Sequence, residues 1–281
     1  MFHDEEGTNM RMKTAVIITT YNRPDALVAA LKGYEIQGDR DFEIIIADDG
    51  STDETWRVIK QYQAKNSLNI SHVWQEDRGF RAAAIRNKAI RATDADYIIF
   101  SDGDCIPLWD FVYHHKRFAE KGWFVSGNRI LLNDRFTHRV LKARVPVHTW
   151  GRRKLIRAYF RGETNRWQPL VFIPFGRMLR RLTSRQWQGV MTCNLSAWRE
   201  DLVNINGFDE NYHGWGLEDS DLVIRLLRSD IRHKSARFAA TVLHLWHPEN
   251  DRSTFLENEK RLRALLRDTR WRAEKGISST E

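Results

Sequence analysis

Acidic side chains directly follow two apolar, β-branched segments of the chain. Asp49 comes after the segment FEIIIA, and Asp102 and Asp104 come after YIIFS with one glycine between them. Ligands of open parallel sheets bind beyond the carboxyl ends of the strands, so we expect these carboxylates to share one edge. Two carboxylates one residue apart can bind one hard divalent cation. A tight turn at Asp102–Asp104 or a helix N-cap at Asp49 is the plainer alternative, but the common edge favours a cation site.

A second group of candidate residues lies in the last third of the chain. Glu218, Asp219 and Asp221 open a predicted helix after a Gly-Trp-Gly loop, where acids also stabilise the helix dipole. Three acids within four residues exceed what capping requires, and a carboxylate is suited to act as a general base. His244 and His247 lie three residues apart at the end of the last predicted strand, and either imidazole is suited to bind a metal ion.

Alternating strands and helices position these residues. Continuous apolar runs predict buried strands, and apolar residues at helical spacing between them predict helices. The resulting βαβαβαβ order implies a parallel sheet with right-handed crossovers. The predicted strands are 14–20, 42–47, 70–75, 97–101, 123–127 and 239–245, and the predicted helices are 24–34, 52–63, 82–92, 107–121, 217–227 and a last one from about residue 253.

Composition narrows the class of protein. The 281 residues are 42% hydrophobic and 29% charged, which allows one large domain or two small ones and excludes wholesale disorder. No run approaches the about 20 apolar residues of a membrane span. Residues 1–13 predict a polar leader rather than a secretory signal, and Cys105 and Cys193 alone fit a reducing cytoplasm. The sequence contains no GxGxxG or GxxxxGK[ST] loop, which argues against dinucleotide and P-loop nucleotide binding.

A strongly basic segment interrupts the alternation. Residues 129–188 contain 15 Lys and Arg against two acids, whereas the whole chain has a net charge of +8. Such a segment predicts an anionic partner. We interpret residues 150–187 as two basic amphipathic helices on an anionic membrane; packing of both stripes on the catalytic body, or binding of a phosphorylated acceptor, are the alternatives. The apolar stripes are Leu155, Ile156, Tyr159 and Phe160, then Phe175, Met178, Leu179 and Leu182, beside Arg152, Arg153, Lys154, Arg157, Arg177, Arg180, Arg181 and Arg185.

Five blocks of sequence in order resemble the family 2 glycosyltransferases with the GT-A fold. The blocks are VIITTYNRP, IIIADDGSTDET, GFRAAAIRNKAI, YIIFSDGDCIP and MTCNLSAWREDLVNINGFDENYHGWGLEDSDL. The last block is also similar to β-1,4-galactosyltransferases and chondroitin-type polymerases. The resemblance implies an α/β GT-A fold with a mostly parallel central sheet flanked by helices. It divides the chain into a leader (1–13), a nucleotide-sugar-binding half (14–128), the basic helical insertion (129–188), an acceptor-binding and catalytic half (189–250) and a C-terminal helix (251–281).

The same resemblance implies roles for individual residues. It implies a UDP-sugar donor, Mn²⁺ or Mg²⁺, and a glycan or lipid-linked acceptor. Asp219 would be the catalytic base, with Glu218 holding a sugar hydroxyl. Because no second carboxylate is an evident nucleophile, we expect inversion at the anomeric carbon. The nucleotide-sugar ligands would be Thr19, Tyr21, Asp49, Arg81, Arg86, Asp102 and Trp215, and the metal ligands Asp104 and His244, with His247 as the rival.

The expected enzyme builds a bacterial surface polysaccharide or lipopolysaccharide. It is expected in the cytoplasm, peripheral on the inner face of the membrane. A nucleotidyltransferase acting on sugar phosphates is one alternative, although TTYNRP is not the glycine- and lysine-rich loop of such enzymes. A basic nucleic-acid-binding protein is the other; it would leave the five blocks unexplained, so we expect no nucleic acid partner.

Overall fold

A seven-stranded sheet forms the centre of the structure, a computed structural model that describes residues 12–171, 179–249 and 251–279. Its strands lie in the order β3-β2-β1-β4-β8-β6-β9. A smaller sheet has the order β5-β10-β7. The strands are β1 (Thr14–Thr20), β2 (Glu43–Asp48), β3 (Ile70–Trp74), β4 (Tyr97–Asp102), β5 (Cys105–Pro107), β6 (Trp123–Ser126), β7 (Asn128–Leu131), β8 (Asn194–Trp198), β9 (Arg232–Ser235) and β10 (Thr241–His244).

Helices cover both faces of the large sheet. Two separate apolar clusters fill the space between the sheet and the helices, one on each face. The helices are α1 (Pro24–Glu35), α2 (Asp53–Lys65), α3 (Ala82–Arg91), α4 (Phe111–Phe118), α5 (Asp134–Lys142), α6 (Arg152–Phe160), α7 (Arg199–Asn204), α8 (Glu218–Arg228) and α9 (Phe255–Arg267).

The first half of the chain confirms the expected parallel sheet. Strand β1 pairs in parallel with β2 on one side and with β4 on the other, and β2 pairs in parallel with β3. These strands are apolar at consecutive positions because both of their faces are buried. Their carboxyl ends therefore place Thr19, Asp49 and Asp102 at one edge, as the strand ends predicted for the two acids.

One strand of the large sheet, β8, runs opposite to its other six described strands. This strand runs antiparallel to both β4 and β6, and Ser101 of β4 lies opposite Asn194 of β8. The reversal brings the residues that precede β8 to the edge where β4 ends. The sheet is thus mixed, and residues from both halves of the chain meet at the edge formed by Thr19, Asp49 and Asp102, the active edge.

The small sheet corrects one sequence prediction. The last predicted strand is β10, which belongs to this sheet, with His244 opposite Cys105. The helix predicted from Pro107 begins at Phe111, because Cys105–Pro107 pair with β10 as strand β5. Strand β7, at the start of the basic segment, pairs in parallel with the other side of β10. The sequence pattern identified neither β7 nor β5, whose three residues are too few to show a period.

The first predicted amphipathic helix packs on the body. In α6, Leu155 and Ala158 are fully buried in a third apolar cluster with Ile130 and Leu243 of the small sheet. Only Phe160 of the predicted stripe is largely exposed, at 76%. The membrane-facing orientation predicted for this stripe is therefore wrong at Leu155, because the small sheet offers an apolar surface that buries it.

The second predicted amphipathic helix is corrected where the structure describes it. Phe175, Arg177 and Met178 lie outside the described residues, and Leu179–Arg181 form one 3₁₀ turn. The exposure of the side chains here is the reverse of the prediction, since the apolar ones face outward and the arginines face the body. Leu179 and Leu182 are exposed, whereas two neighbouring side chains, Arg180 and Arg181, point inward or pair with the body. Arg180 is buried and donates to the carbonyl oxygens of Ser235 and Arg237, and Arg181 pairs with Glu120.

No helix among the described residues is both long and apolar enough to cross a bilayer.

Candidate active site

Arg86 is the centre of the polar cluster at the active edge. It lies on the inner face of α3 with only 5% of its side chain exposed. Its Nε donates to Thr19 Oγ1 at 3.1 Å, and one terminal nitrogen donates to Asp102 Oδ1 at 3.3 Å. The other terminal nitrogen donates to Glu218 Oε1 at 3.1 Å and lies 3.5 Å from Asp219 Oδ1. One guanidinium therefore joins β1, β4 and α8.

The carboxylates of this cluster outnumber its guanidinium by three to one. Burial lowers the pKa of Arg86, but the carboxylates of Asp219, Asp102 and Glu218 outweigh burial and raise it. Burial and the Asp219 charge raise the pKa of Glu218 to about 7, against the lowering effect of Arg86. Burial, Asp104 and Asp219 likewise raise the pKa of Asp102 to about 6. Three carboxylates facing one guanidinium leave a negative site, which attracts a cation.

The loop before α8 presents two acids at the start of a helix. Gly214 and Gly216 have positive φ angles of 70° and 105°, and Leu217 is also left-handed, with φ at 75°. A Cβ at Gly214 would lie 1.9 Å from Thr254 Oγ1, so this position requires glycine. The turn directs Glu218 and Asp219 toward Arg86. Asp221, one turn further along, is buried and pairs with the fully buried Arg225, which makes it a structural residue.

Thr192 holds Asp219 from the opposite side. Its backbone N–H donates to Asp219 Oδ2 at 3.0 Å, and its hydroxyl donates to Oδ1 at 2.5 Å. Sequence reasoning quoted the block MTCN but did not single out this threonine. The signal that could have found it is its place just before β8, which becomes informative only once β8 is known to run antiparallel to β4.

Asp104 faces both candidate histidines. Its Oδ1 lies 3.7 Å from His244 Nε2, and its Oδ2 lies 3.5 Å from His247 Nε2. These separations exceed hydrogen-bond length but fit ligands of one ion, since neighbouring ligands at about 2.1 Å from an octahedral ion lie about 3 Å apart and opposite ones about 4 Å. Burial lowers the pKa of His244, which favours the neutral, metal-binding imidazole. The three residues therefore fit a divalent cation, and the structure brings both rival histidines to it.

Asp49 lies directly after β2, at the same edge of the sheet. It is buried, and burial raises its pKa. Gln75 Nε2 donates to Oδ1 at 2.5 Å, and the backbone N–H of Arg81 donates to Oδ2 at 2.7 Å. Each carboxylate oxygen can accept a further hydrogen bond, so Asp49 retains capacity for a ligand N–H. Sequence reasoning did not identify Gln75.

Tyr21 closes the outer side of the same region. Its hydroxyl donates to Asp77 Oδ2 at 2.8 Å, so the loop after β1 contacts the loop after β3. Gly50, with φ at 93°, makes this approach possible, because a Cβ there would lie 2.5 Å from Asp77 Cα. Like Gln75, Asp77 was not identified from the sequence.

Two of the predicted ligands contact other parts of the protein. The Arg81 guanidinium donates to the carbonyl oxygen of Glu76 at 2.6 Å, and only its backbone reaches Asp49. Trp215 stacks on Phe255 at 6.1 Å, with the Arg252 guanidinium 5.1 Å from its ring. None of these contacts involves Asp102, Glu218 or Asp219.

Comparison with known families shows which protein family the chain belongs to. Residues 15–185 match the sequence model described as glycosyl transferase family 2, and residues 181–248 match that described as the N-terminal domain of galactosyltransferase. The first match covers more than half of the chain, so the protein belongs to glycosyl transferase family 2, as the resemblance predicted.

Individual relatives agree with that family. The chain is 31% identical over 223 residues to validoxylamine A glucosyltransferase of Streptomyces hygroscopicus subsp. limoneus, covering 75% of this chain and 47% of that protein. It is 24% identical over 250 residues to chondroitin synthase of Escherichia coli, covering 85% and 36%. The chain thus spans half or less of the length of these relatives.

Solved structures show the fold. TarS 1-349 of S. aureus, in complex with UDP-GlcNAc, superposes with a TM-score of 0.59 at 14% identity, over 95% of this chain and 69% of that one. The mannosyltransferase PcManGT of Pyrobaculum calidifontis, in complex with GDP-Man and Mn²⁺, gives 0.60 at 17% identity, over 92% and 66%. The fold is GT-A, with a mostly parallel central sheet flanked by helices, as expected.

Proposed function

We propose that this protein is an inverting, metal-dependent glycosyltransferase that moves a sugar from a UDP-sugar to a hydroxyl of a glycan or lipid-linked saccharide. The observation that carries the proposal is the position of Arg86. It holds Asp102, in the half that resembles a nucleotide-sugar site, against Glu218 and Asp219, in the half that resembles an acceptor site. A transferase needs donor and acceptor at one point, and this residue defines that point.

The metal ion would be held by Asp104, His244 and His247. When bound, a divalent cation neutralises charge on the departing diphosphate. Imidazole ligands suit Mn²⁺ better than Mg²⁺, which prefers oxygen ligands. Mn²⁺ in the PcManGT structure supports a divalent ion in this fold.

Asp219 would take the proton from the attacking hydroxyl. Thr192 fixes both of its oxygens, which leaves the carboxylate in one orientation. Its side chain is 23% exposed, against 10% for Glu218, so an acceptor reaches Asp219 more readily. Attack from the face opposite the diphosphate needs only this one base and inverts the anomeric centre. Glu218 would then accept a hydrogen bond from a sugar hydroxyl.

The nucleoside would lie between Tyr21 and Asp49. The free acceptor capacity of Asp49 suits the N3–H of uracil, and Thr19 lies at the far side, bonded to Arg86. UDP-GlcNAc in the TarS complex supports a UDP-sugar in this fold, whereas GDP-Man in PcManGT makes GDP the rival.

We propose a surface polysaccharide or lipopolysaccharide as the product and the inner face of the membrane as the place of work. The exposed side of α6 supports this with Arg153, Lys154, Arg157 and the exposed ring of Phe160. Phe160→Ser combined with Arg153→Glu and Arg157→Glu should release the protein from vesicles containing phosphatidylglycerol, because it removes an apolar anchor and reverses two charges. Unchanged sedimentation with the vesicles would refute this contact.

A donor panel tests the function. Purified protein is incubated with Mn²⁺, acceptor saccharides and each of several UDP- and GDP-sugars, and release of UDP or GDP is measured. One strongly preferred UDP-sugar, inactivity in EDTA and inactivity of Asp104→Ala are the expected results. Release of pyrophosphate from a nucleoside triphosphate and a sugar phosphate would indicate the alternative, a nucleotidyltransferase. Full activity in EDTA would exclude the proposed metal.

A further inference from the structure

A cavity of about 480 Å³ lies beside the candidate active site and shares one predicted ligand with it, Arg81. Its walls come from the loop after β3, the outer face of α3, the loop at residues 210–213 and the segment that follows α9. The carboxylates assigned above to the donor, the metal and the base do not line it. It is therefore a separate site, and the proposed transfer reaction leaves it unexplained.

The walls carry an excess of positive charge. Five lining side chains are Arg or Lys, and two are acids. Both acids have partners: Glu76 pairs with Arg78 at 2.6 Å, and Glu210 accepts from Asn87 at 2.9 Å. The five cationic residues are Arg78, Arg81, Lys88, Arg91 and Lys275.

Neutral backbone groups, and not carboxylates, hold two of these cations. Arg81 donates to the carbonyl oxygen of Glu76, and Arg91 donates to that of Ile277 at 3.0 Å. The buried Nε of Arg81 has no hydrogen-bond partner among the described residues. Carbonyl groups orient a guanidinium without neutralising it, so the Arg91 charge is available to an anion, whereas the Arg81 charge also acts on the Asp49 carboxylate.

The spacing of the charges indicates an extended ligand. Arg81, Lys88 and Arg91 lie on one face of α3, and ten residues of helix span about 15 Å. One phosphate ion can contact only part of this row of cations, whereas a chain with several negative groups can contact all of it. The volume lies within the range of ligand sites, about 300–1,000 Å³.

The position of the cavity connects it to both substrates. Gln75 and Arg81, in its wall, bind Asp49 of the proposed nucleoside pocket. His213, also in its wall, precedes Gly214, whose N–H donates to the carbonyl oxygen of Phe80 in the loop that opens α3. The loop that contains His213 and Gly214 leads directly into Glu218 and Asp219.

We propose that the cavity binds an anionic stretch of the acceptor glycan, with carboxylate or phosphate groups on its sugars. That the ligand is the acceptor rests on the proposed function; that the cavity binds an anionic saccharide does not. An acceptor held here would extend from the catalytic loop along the outer face of α3.

Binding without catalysis tests the proposal. Calorimetry is performed in EDTA, without any donor, on wild type and on Arg91→Glu/Lys275→Glu. The matched control is Arg57→Glu/Lys60→Glu, which reverses one Arg and one Lys on the exposed face of α2. The probes are hexagalacturonate, neutral maltohexaose, inorganic phosphate and a single-stranded DNA hexamer.

We expect hexagalacturonate or phosphate to bind wild type and the control pair. Binding should be at least about 10-fold weaker in Arg91→Glu/Lys275→Glu, since reversing two charges removes two attractions and adds two repulsions. Competition between the two anions distinguishes the groups: displacement of hexagalacturonate by phosphate at equal concentration indicates phosphorylated sugars, and resistance to it indicates carboxylated ones. Denaturation curves like those of wild type exclude loss of folding.

Several results would overturn the proposal. These are no binding of either anion, equal weakening in the control pair, equally tight binding of maltohexaose, or tighter binding of the DNA hexamer with the same sensitivity to the variant. The donor panel separates the two proposals. Anion binding by a protein that releases no UDP would refute the transferase and leave the anion site, and the reverse result would refute the anion site alone.

Discussion

Replacing Arg86 by glutamine tests the electrostatics of the active edge. The guanidinium is almost fully buried and lies within 3.5 Å of Asp102, Glu218 and Asp219. Glutamine keeps part of the side-chain volume and two donors but removes the positive charge that lies within hydrogen-bond distance of these three carboxylates. Each carboxylate then lacks this counter-charge at a position where its side chain is only 10–31% exposed.

The expected loss of stability is about 3–5 kcal/mol at pH 8, the cost of leaving buried charge without its partner. The loss should shrink at lower pH. Burial already raises the pKa of Glu218 to about 7 and that of Asp102 to about 6, and removal of Arg86 raises both further. A raised carboxyl pKa destabilises the fold above the unfolded-state pKa, so protonation recovers about 1.4 kcal/mol per pH unit for each group that titrates. Between pH 8 and pH 6 the difference from wild type should fall by at least about 2 kcal/mol.

Urea denaturation in EDTA at pH 8 and pH 6 measures this difference. Arg57→Gln, on the exposed face of α2, is the matched control and should stay within about 0.5 kcal/mol of wild type. Arg86→Lys keeps the charge but loses the forked geometry, so it should fall between wild type and Arg86→Gln. An Arg86→Gln variant that loses less than about 1 kcal/mol, or the same amount at both pH values, would refute the reasoning.

Asp219→Asn should lower transfer by about 10²–10⁴-fold in a steady-state assay while UDP binding persists, and a variant that keeps more than about a tenth of the wild-type rate would assign the base elsewhere. His244→Ala should weaken Mn²⁺ binding, measured by electron paramagnetic resonance, more than His247→Ala, because the His244 side chain is 13% exposed and that of His247 is 27%; the reverse order would make His247 the principal ligand. Burial lowers the pKa of His115 to about 3, so its stabilising contribution is present above the unfolded-state pKa near 6.5 and is lost as pH falls. The free energy of unfolding should therefore drop by about 2 kcal/mol from this residue between pH 7 and pH 5, and His115→Asn should flatten that slope; an unchanged slope would mean that His115 does not titrate as proposed.

Local patterns predicted the parallel half of the fold and much of the candidate site. Strands such as TAVIITT and EIIIAD are apolar because both faces are buried, and their ends carry polar residues because a ligand edge needs them. Asp49 and Asp102 could be placed from the chain alone for this reason, whereas Thr19 came from the family resemblance. Arg86 and Asp219 followed from the family resemblance, since neither helix reveals by its own period which element it faces.

Pairing between segments that are distant along the chain decided the rest of the fold and of the candidate site. The antiparallel direction of β8 brings Thr192 to Asp219, and the pairing of β5 with β10 brings both histidines to Asp104. The sequence of a basic segment also does not show whether its arginines face a membrane or a row of backbone carbonyl oxygens. Arg180 turned inward because the end of β9 presents carbonyl oxygens to it. Hydrophobic period and residue type are local properties of a sequence, so they determined which segments form strands and where polar groups follow them. The partner of a strand end or a buried charge lies elsewhere along the chain, and only the tertiary structure decided it.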